Sequence, residues 1–597
     1  MSTKVTRLFD ILPWMKENYA HKDSVLAGKD NGKWITYNVD QYIEFSNKVA
    51  HGLLALGIKP GDKIATITNN RPEWNFLDMG IMLAGAVHVP VYPTISESDY
   101  KYILTHAEVK YVFLAGKELL RKIDHILPEI PSLNGIYTFK KIDEHPHFPE
   151  LIELGSKNPE PQKVEQIKAG TQPNDVATII YTSGTTGNPK GVMLTHNNII
   201  SNLMAVRHIP PLSGDDKALS YLPLCHIYER MINYVWQYVG VSIYYAESMA
   251  AIGDNMREIK PQLMTTVPRL LEKIFDKIMA TGRKLKGIKR MFFFWAVNLG
   301  YRYELERANG WFYHLQLSIV DKLVFSKWRA ATGGNLNVMV SGGAALQPRL
   351  ARIFWAAGIK VLEGYGLTET SPVIAVQHFG KNGTKFGTVG PPLEGVEVKI
   401  ADDGEILTRG AHVMPGYYKE PEMTKAAIDD NGWFHTGDAG MIEPEGQVRI
   451  TGRKKTIFKT SMGKYINPEM MENTFKESAF IDSIMVVGEN QKFAAALVVP
   501  DFTHLRSYCA VKNIPYTTDE EMVSNKILRN RFKVEIDKYN TKFGAYEQIK
   551  QFVLIGKEWS VEGGELTASL KMRREFIAEK YQSLINKMFK ISNTGNG

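Results

Sequence analysis

Residues 181–196 read YTSGTTGNPKGVMLTH, and the strand-like run Ala177-Thr178-Ile179-Ile180 leads into them. Thr182, Ser183, Thr185 and Thr186 place hydroxyls around Gly184 and Gly187, with Lys190 and Gly191 close behind. Glycine frees backbone N–H groups to approach an anion, hydroxyls donate, and one ammonium adds charge. The stretch therefore has the chemistry of a phosphate cradle. It is not a Walker A loop, in which Gly immediately precedes the Lys and Ser or Thr follows it. Pro189 and Gly191 stand there instead. Thr195 is placed to N-cap a helix beginning near Asn197.

Working outward, the region from Thr36 to Thr94 alternates helical and strand patterns. TYNVDQYIEFSNKVAHGLLALG has helical apolar spacing and closes at Gly57; KIATITNN is a short strand; Glu73 to Ala84 is a second helix; AVHVPVYPT is a strand. Such alternation predicts a mostly parallel α/β sheet. Downstream, LPLCHIYER presents His226 just after a strand, and NLNVMV leads to SGGAAL, where Gly342 and Gly343 let something flat approach the backbone. KVLEGYGLTETSP follows, with Glu363, Tyr365, Gly366, Thr368 and Glu369. Tyr365 can stack on a base, Thr368 can donate to a phosphate, and Glu369 can offer Mg²⁺ an oxygen. Residues 386–452 turn Gly-rich and β-like, and 456–597 read as α+β.

YTSGTTGNPKG and GYGLTETSP, in this order, closely resemble the diagnostic blocks of the adenylate-forming superfamily. That superfamily includes acyl-CoA synthetases, luciferases and peptide-synthetase adenylation domains. The resemblance covers about residues 10 to 585. It implies a large N-terminal AMP-binding domain, 1–452, of two α/β subdomains plus a small β-barrel. A hinge at 453–455 and a smaller mobile α+β C-terminal domain, 456–597, would follow. By the same resemblance, Thr182–Gly187 and Lys190 hold the β- and γ-phosphates, Gly342 and Gly343 form the wall of the adenine pocket, and Glu363, Tyr365 and Gly366 bind ATP or AMP. Asp438 in WFHTGD and Arg453 in ITGR would hydrogen-bond the ribose. Thr368, Glu369 and His226 would act at the reacting groups, with Glu369 also the metal ligand. Lys455 takes the hinge position, Gly463 in KTSMGKY the loop beside the CoA thiol, and Lys571 in LTASLKMRR the catalytic lysine. Some fatty-acyl members carry a gating Trp four residues after the strand-end His; Arg230 stands there here.

The branch implied is a fatty acyl-CoA synthetase, because the long insert around residues 283–316 and the LK dipeptide before Met572 resemble long-chain members. ATP, Mg²⁺ and CoA are then required, with a fatty acid as substrate. A fatty acyl-AMP ligase serving a carrier protein and a luciferase-like oxygenase share the motifs. A non-catalytic acyl- or nucleotide-binding regulator is disfavoured, since Glu369 and Lys571 are both kept.

Composition agrees with this reading. The 597 residues exceed one core, 44% are hydrophobic and 23% charged, and the formal net charge is +8. The positive balance suits anionic ligands or acidic lipid, and no nucleic-acid-binding signature accompanies it. Two cysteines, Cys225 and Cys509, support neither a disulfide framework nor a Cys-rich metal site. MSTKVTRLFDILPWMKENYA reads as an amphipathic helix rather than a secretory signal, and Met231 to Ala246 is too short and too polar for a membrane span. A cytoplasmic protein is expected; peripheral contact with the inner face of a membrane and a homodimer both stay open. RKLKGIKR, residues 283–290, followed by MFFFWAV, fits a membrane interface, though a buried helical hairpin with a solvated basic edge is the preferred reading.

Overall fold

A computed structural model of the chain describes residues 3–182, 188–567 and 571–590. The chain divides into two compact units: 1–399 with 407–436 and 442–449, and 400–406 with 437–441 and 450–597.

Among the described residues of the first unit, two large sheets carry the fold. One has seven strands in the order Gly416–Tyr417, Lys190–Thr195, Val176–Thr182, Val87–Pro90, Lys63–Ile67, Val109–Leu114, Gly135–Thr138. Its last five strands are parallel, and the first two attach antiparallel at the edge. Strands covered on both faces need near-continuous apolar runs, and Val87–Pro90 is buried throughout. The second sheet has eight strands, with Leu263–Thr266, Val338–Ser341 and Lys360–Gly366 parallel at its centre and Val373–Val376 antiparallel beyond them. Helices close the crossovers. Asn38 caps Val39–Ala55 by accepting from the Gln41 N–H, while the Gln41 side chain returns to the Asn38 N–H. That helix ends as Gly57 turns left-handed, at φ +82°.

The insert folds as a helical hairpin, Pro268–Lys284 and Gly287–Tyr301, with the basic stretch at its turn. Burial of the run is only partial: Phe293, Ala296 and Val297 are inside, whereas Ile288 and Met291 stand exposed. Residues 231–246 are no continuous helix. Ile227–Val239 ends at left-handed Gly240, and Ser242–Tyr245 is a strand.

The Gly-rich region forms a four-stranded sheet in the order Glu397–Ile400, Glu405–Arg409, Phe434–Ile442, Val448–Arg453, and the unit boundaries cut through its strands. In the second unit Ala494–Pro500 is buried at every position. It pairs antiparallel with Ile481–Val487 and parallel with Ile549–Leu554 under helices Pro468–Phe475 and Lys526–Asn540.

Candidate active site

Antiparallel pairing of Val176–Thr182 with Lys190–Thr195 sets Thr182 opposite Lys190. Ser183, Gly184, Thr185, Thr186 and Gly187 lie outside the described residues. After the second strand Thr195 accepts from the Asn198 N–H, capping helix His196–Val206. The third strand at this edge, Gly416–Tyr417, pairs with Val192 and Met193. Gly416 has φ +152°, and a Cβ there would meet the Thr424 methyl at 2.7 Å. Thr424 Oγ1 in turn accepts from the Tyr417 N–H at 2.9 Å.

Tyr417 joins two of the motif residues. Its hydroxyl donates to Glu369 Oε1 at 2.9 Å, and the Lys190 ammonium stands 5.2 Å from its ring centroid. Backbone bonds hold both sides of the junction: Met414 N–H donates to the Glu369 carbonyl at 2.8 Å and Tyr418 N–H to the Gly191 carbonyl at 2.7 Å. Burial and the Glu369 carboxylate push the Tyr417 phenol upward, so it stays a donor. Glu369 sits in the 3₁₀ turn Thr368–Thr370 beside buried Thr368, and is itself partly open to solvent. Tyr417 was not singled out from sequence. The signal lay in VMPGYYKE, whose glycine before two tyrosines marks a constrained strand edge.

Among the described residues no three His, Cys, Asp or Glu side chains gather as a metal cage. Magnesium needs less, since it binds through one or two carboxylates and takes its remaining oxygens from phosphates and water. Glu369, opposite a lysine across one aromatic ring, fits that requirement.

The flat group nearest Gly342 belongs to the protein. A Cβ on Gly342 would meet the Tyr228 ring at 3.2 Å, and the Tyr228 hydroxyl is anchored to the Val340 carbonyl at 2.8 Å. Gly343 is exposed and left-handed, φ +80°. Gly366 has a packing reason for being glycine: a Cβ would lie 1.7 Å from the Pro372 carbonyl oxygen. Tyr365 is buried opposite Ala375. Glu363 is buried on the strand beside Ser341 and accepts from the Leu346 backbone, while its Oε1 has no hydrogen-bond partner among the described residues. Burial pushes its carboxyl up to about 8.

His226 caps helix Ile227–Val239, its Nδ1 accepting from the Tyr228 N–H at 3.1 Å, which leaves Nε2 to carry the ring proton. Arg230 lies one turn on. It is wholly buried, ion-paired to Asp78, and donates to Thr178 Oγ1 at 2.7 Å and to the Tyr234 hydroxyl at 2.8 Å. His88 completes the cluster, Nδ1 to Asp78 at 2.6 Å and Nε2 to Thr66 at 2.8 Å. Burial alone would raise the Asp78 carboxyl. The Arg230 charge and the hydrogen bonds from His88 and Tyr234 outweigh it and hold the group below the usual carboxylate range.

In the second unit, Asp438 in the middle of strand Phe434–Ile442 and Arg453 at the end of the adjacent strand form an ion pair, Nε to Oδ1 3.0 Å, with the carboxylate buried and the guanidinium half exposed. The strand stops at Arg453 because the Thr456 and Ile457 N–H groups both turn back to its carbonyl; exposed Lys455 occupies this turn. Lys454 is held by Glu405 at 2.9 Å. Gly463, φ +78°, makes the turn of the short hairpin Phe458–Lys459 with Tyr465–Ile466. Lys571 is exposed: its N–H donates to Thr567 Oγ1 at 3.0 Å, and its carbonyl accepts from the Thr567 N–H at 2.8 Å.

A family model described as AMP-binding enzyme matches residues 15–418, and one described as AMP-binding enzyme C-terminal domain matches 455–593. A long-chain-fatty-acid–CoA ligase of Mycobacterium bovis is 30% identical, with 94% of this chain and 93% of that protein covered. A peroxisomal long chain acyl-CoA synthetase of Arabidopsis thaliana is 32% identical, with 94% and 82% covered. Among solved structures, the adenylation domain of a Mycobacterium chelonae carboxylate reductase superposes with a TM-score of 0.76 at 19% identity, covering 98% and 91%. A Mycobacterium tuberculosis fatty acyl CoA synthetase gives 0.63 at 18%, covering 98% and 99%.

Proposed function

The chain belongs to the AMP-binding enzymes, and from that premise we infer a long-chain-fatty-acid–CoA ligase that forms AMP. It activates a fatty acid with ATP and passes the acyl group to CoA. A carboxylate is a poor electrophile because its leaving group would be oxide. Its oxygen therefore attacks the α-phosphorus of ATP, giving acyl-AMP and pyrophosphate. The CoA thiolate then attacks the acyl carbon and AMP departs. An ionised acid has no proton to lose, so the first step needs positioning and charge neutralisation more than acid–base chemistry.

One observation carries the assignment of residues to these steps: Lys190 and Glu369 meet at the Tyr417 ring. In this reading Lys190, Thr182 and the hydroxyls of residues 183–187 steady the β- and γ-phosphates. Thr368 donates to the α-phosphate. Glu369 would hold Mg²⁺, which supplies charge neutralisation on the phosphates. Tyr365 stacks on adenine beside Gly342 and Gly343, and Asp438 accepts from the ribose hydroxyls with Arg453 paired beside it. His226, fixed by its cap hydrogen bond, shapes the acyl side. Lys571 bridges carboxylate and phosphate oxygens in the first step. Rotation of residues 456–597 about Lys455 then withdraws it and brings in the Gly463 hairpin for the second. The narrow turn after Arg453 leads directly to that hairpin, which favours CoA over a carrier protein, whose ligases typically carry an insertion here.

The test is pyrophosphate release across saturated acids of increasing length, with and without CoA. Turnover that requires CoA and rises towards long chains is expected. Turnover independent of CoA would transfer the protein to the carrier-protein class.

A further inference from the structure

Lys571 belongs to a short antiparallel pairing of residues 565–567 with 571–573. Leu566 bridges Met572, the Thr567 and Lys571 backbones face each other, and the Arg573 N–H donates to the Glu565 carbonyl at 2.8 Å. Both arms are fastened at their outer ends. Glu565 holds the first: it is buried and ion-paired to Lys580 at 2.6 Å. The second arm runs directly into helix Arg574–Lys580, and Arg574 is its fastening.

Through Nη2 the Arg574 guanidinium donates to both carboxylate oxygens of Glu472, a buried residue of helix Pro468–Phe475. Oε1 of the same carboxylate accepts from the Val486 N–H at 2.7 Å. Strand Ile481–Val487 lies at the edge of its three-stranded sheet. An edge strand has N–H groups with no strand beyond them, and Glu472 supplies this one with its acceptor. A carboxylate tied to a strand on one side and to a guanidinium on the other has its orientation fixed.

Burying an ion pair adds little stability over apolar residues of the same volume, because desolvating two charges offsets their attraction. What it adds is direction, since a planar guanidinium meets a carboxylate in few geometries. Lys580, on the other arm, is an ammonium on a flexible stem and imposes no such plane. Only Met572 and Arg573 separate Lys571 from Arg574, at most about 11 Å of extended chain. A change in the seating of Arg574 therefore reaches Lys571 with no intervening element to absorb it. Glu472, Val486 and Arg574 all follow Lys455 in sequence, so the clamp travels with Lys571 in a rotation about that residue.

We propose that Arg574 is a positioning residue for the first half-reaction: held by Glu472, it sets the direction in which the Lys571 ammonium is presented to the acid and the α-phosphate. The proposal rests on Lys571 being the lysine of that step, and Arg574 acts through it alone.

The experiment follows the two half-reactions separately in the full-length protein, as single-turnover acyl-AMP formation and as thioester formation from supplied acyl-AMP and CoA. Arg574→Gln is expected to slow acyl-AMP formation about tenfold to a hundredfold and to leave thioester formation near the wild-type rate. Because the effect passes through Lys571, Arg574→Gln/Lys571→Ala should be no slower than Lys571→Ala. Arg574→Gln strands the Glu472 charge, so Arg574→Gln/Glu472→Gln is measured beside it. That pair buries no lone charge, keeps an acceptor for the Val486 N–H, and should show the same split with a cooperative urea transition. Equal slowing of both half-reactions, wild-type acyl-AMP formation in the amide pair, or independent losses that multiply in the variant with Lys571→Ala would overturn the proposal. Acyl-AMP formation untouched by Lys571→Ala would instead overturn the reading of Lys571, and the positioning role with it.

Discussion

The Tyr417 hydroxyl reaches the Glu369 carboxylate at 2.9 Å across 48 residues of sequence. Its ring meanwhile faces the ammonium of Lys190, so one phenol sets the separation between the lysine of the first motif and the acid of the second. Tyr417→Phe keeps the ring and removes the donor. Glu369 then loses one hydrogen bond and the direction it imposes. Pyrophosphate release is expected to fall about tenfold, the equivalent of one hydrogen bond to a charged group, with a higher magnesium requirement and unchanged unfolding. An unaltered magnesium dependence would show that Tyr417 only packs.

Lys571 and the Gly463 hairpin belong to separate segments of the second unit. If each serves one half-reaction, Lys571→Ala should slow acyl-AMP formation by about a hundredfold or more. Thioester formation from supplied acyl-AMP should continue near the wild-type rate. Equal loss of both steps, measured by single-turnover kinetics, would contradict the two-conformation scheme.

Arg230 and Asp78 are buried together. Removing one partner strands the other charge without water, so Arg230→Met is expected to cost about 3–5 kcal/mol in urea unfolding. Adding Asp78→Asn should recover part of that loss. Chain-length preference in the surviving fraction should not change, because Arg230 is wholly buried and its guanidinium is engaged by Asp78, Thr178 and Tyr234. A shifted preference would return it to the acyl site.

Glu363 gives a pH signature. Its carboxyl is raised to about 8 from an ordinary 4.5, so between those values the folded chain holds a proton that the unfolded chain has released. Stability from this group is complete below about pH 4.5 and falls as pH rises through about 8. The loss is on the order of 5 kcal/mol once the group is fully ionised. Glu363→Gln, which cannot ionise, should flatten the fall in urea midpoint between pH 5 and 9 (a range set by those two values). An unchanged slope would assign the pH dependence elsewhere.

Much of this was legible in the chain because it depends on near neighbours. Thr195 caps the next helix through a residue three positions on, Gly57 turns left-handed where the apolar helical pattern stops, and Gly463 turns a hairpin of a few residues. Motif identity likewise marked Lys190, Glu369, Asp438 and Arg453, while the ion pair between the last two came only with the structure. Two glycines read for a ligand also have a packing reason that the letters did not show: Gly342 makes room for Tyr228, and Gly366 for the Pro372 carbonyl.

Residue order by itself determined the α/β class, the order of the motifs and the chemistry they imply, because periodicity, caps and short blocks are local properties. Tertiary structure alone decided that Tyr417 stands between Lys190 and Glu369, since that follows from pairing Gly416–Tyr417 with Val192 and Met193, far back in the chain. It also turned Arg230 into the core. Four residues after His226 can mean either a neighbour at the site or a group facing inward, and only Asp78 and Thr178, brought in from other elements, settle which. The same holds for Trp311 and Leu315. Their apolar character is plain in the letters, but whether a side chain faces a core or open surface depends on which neighbours the fold places over it.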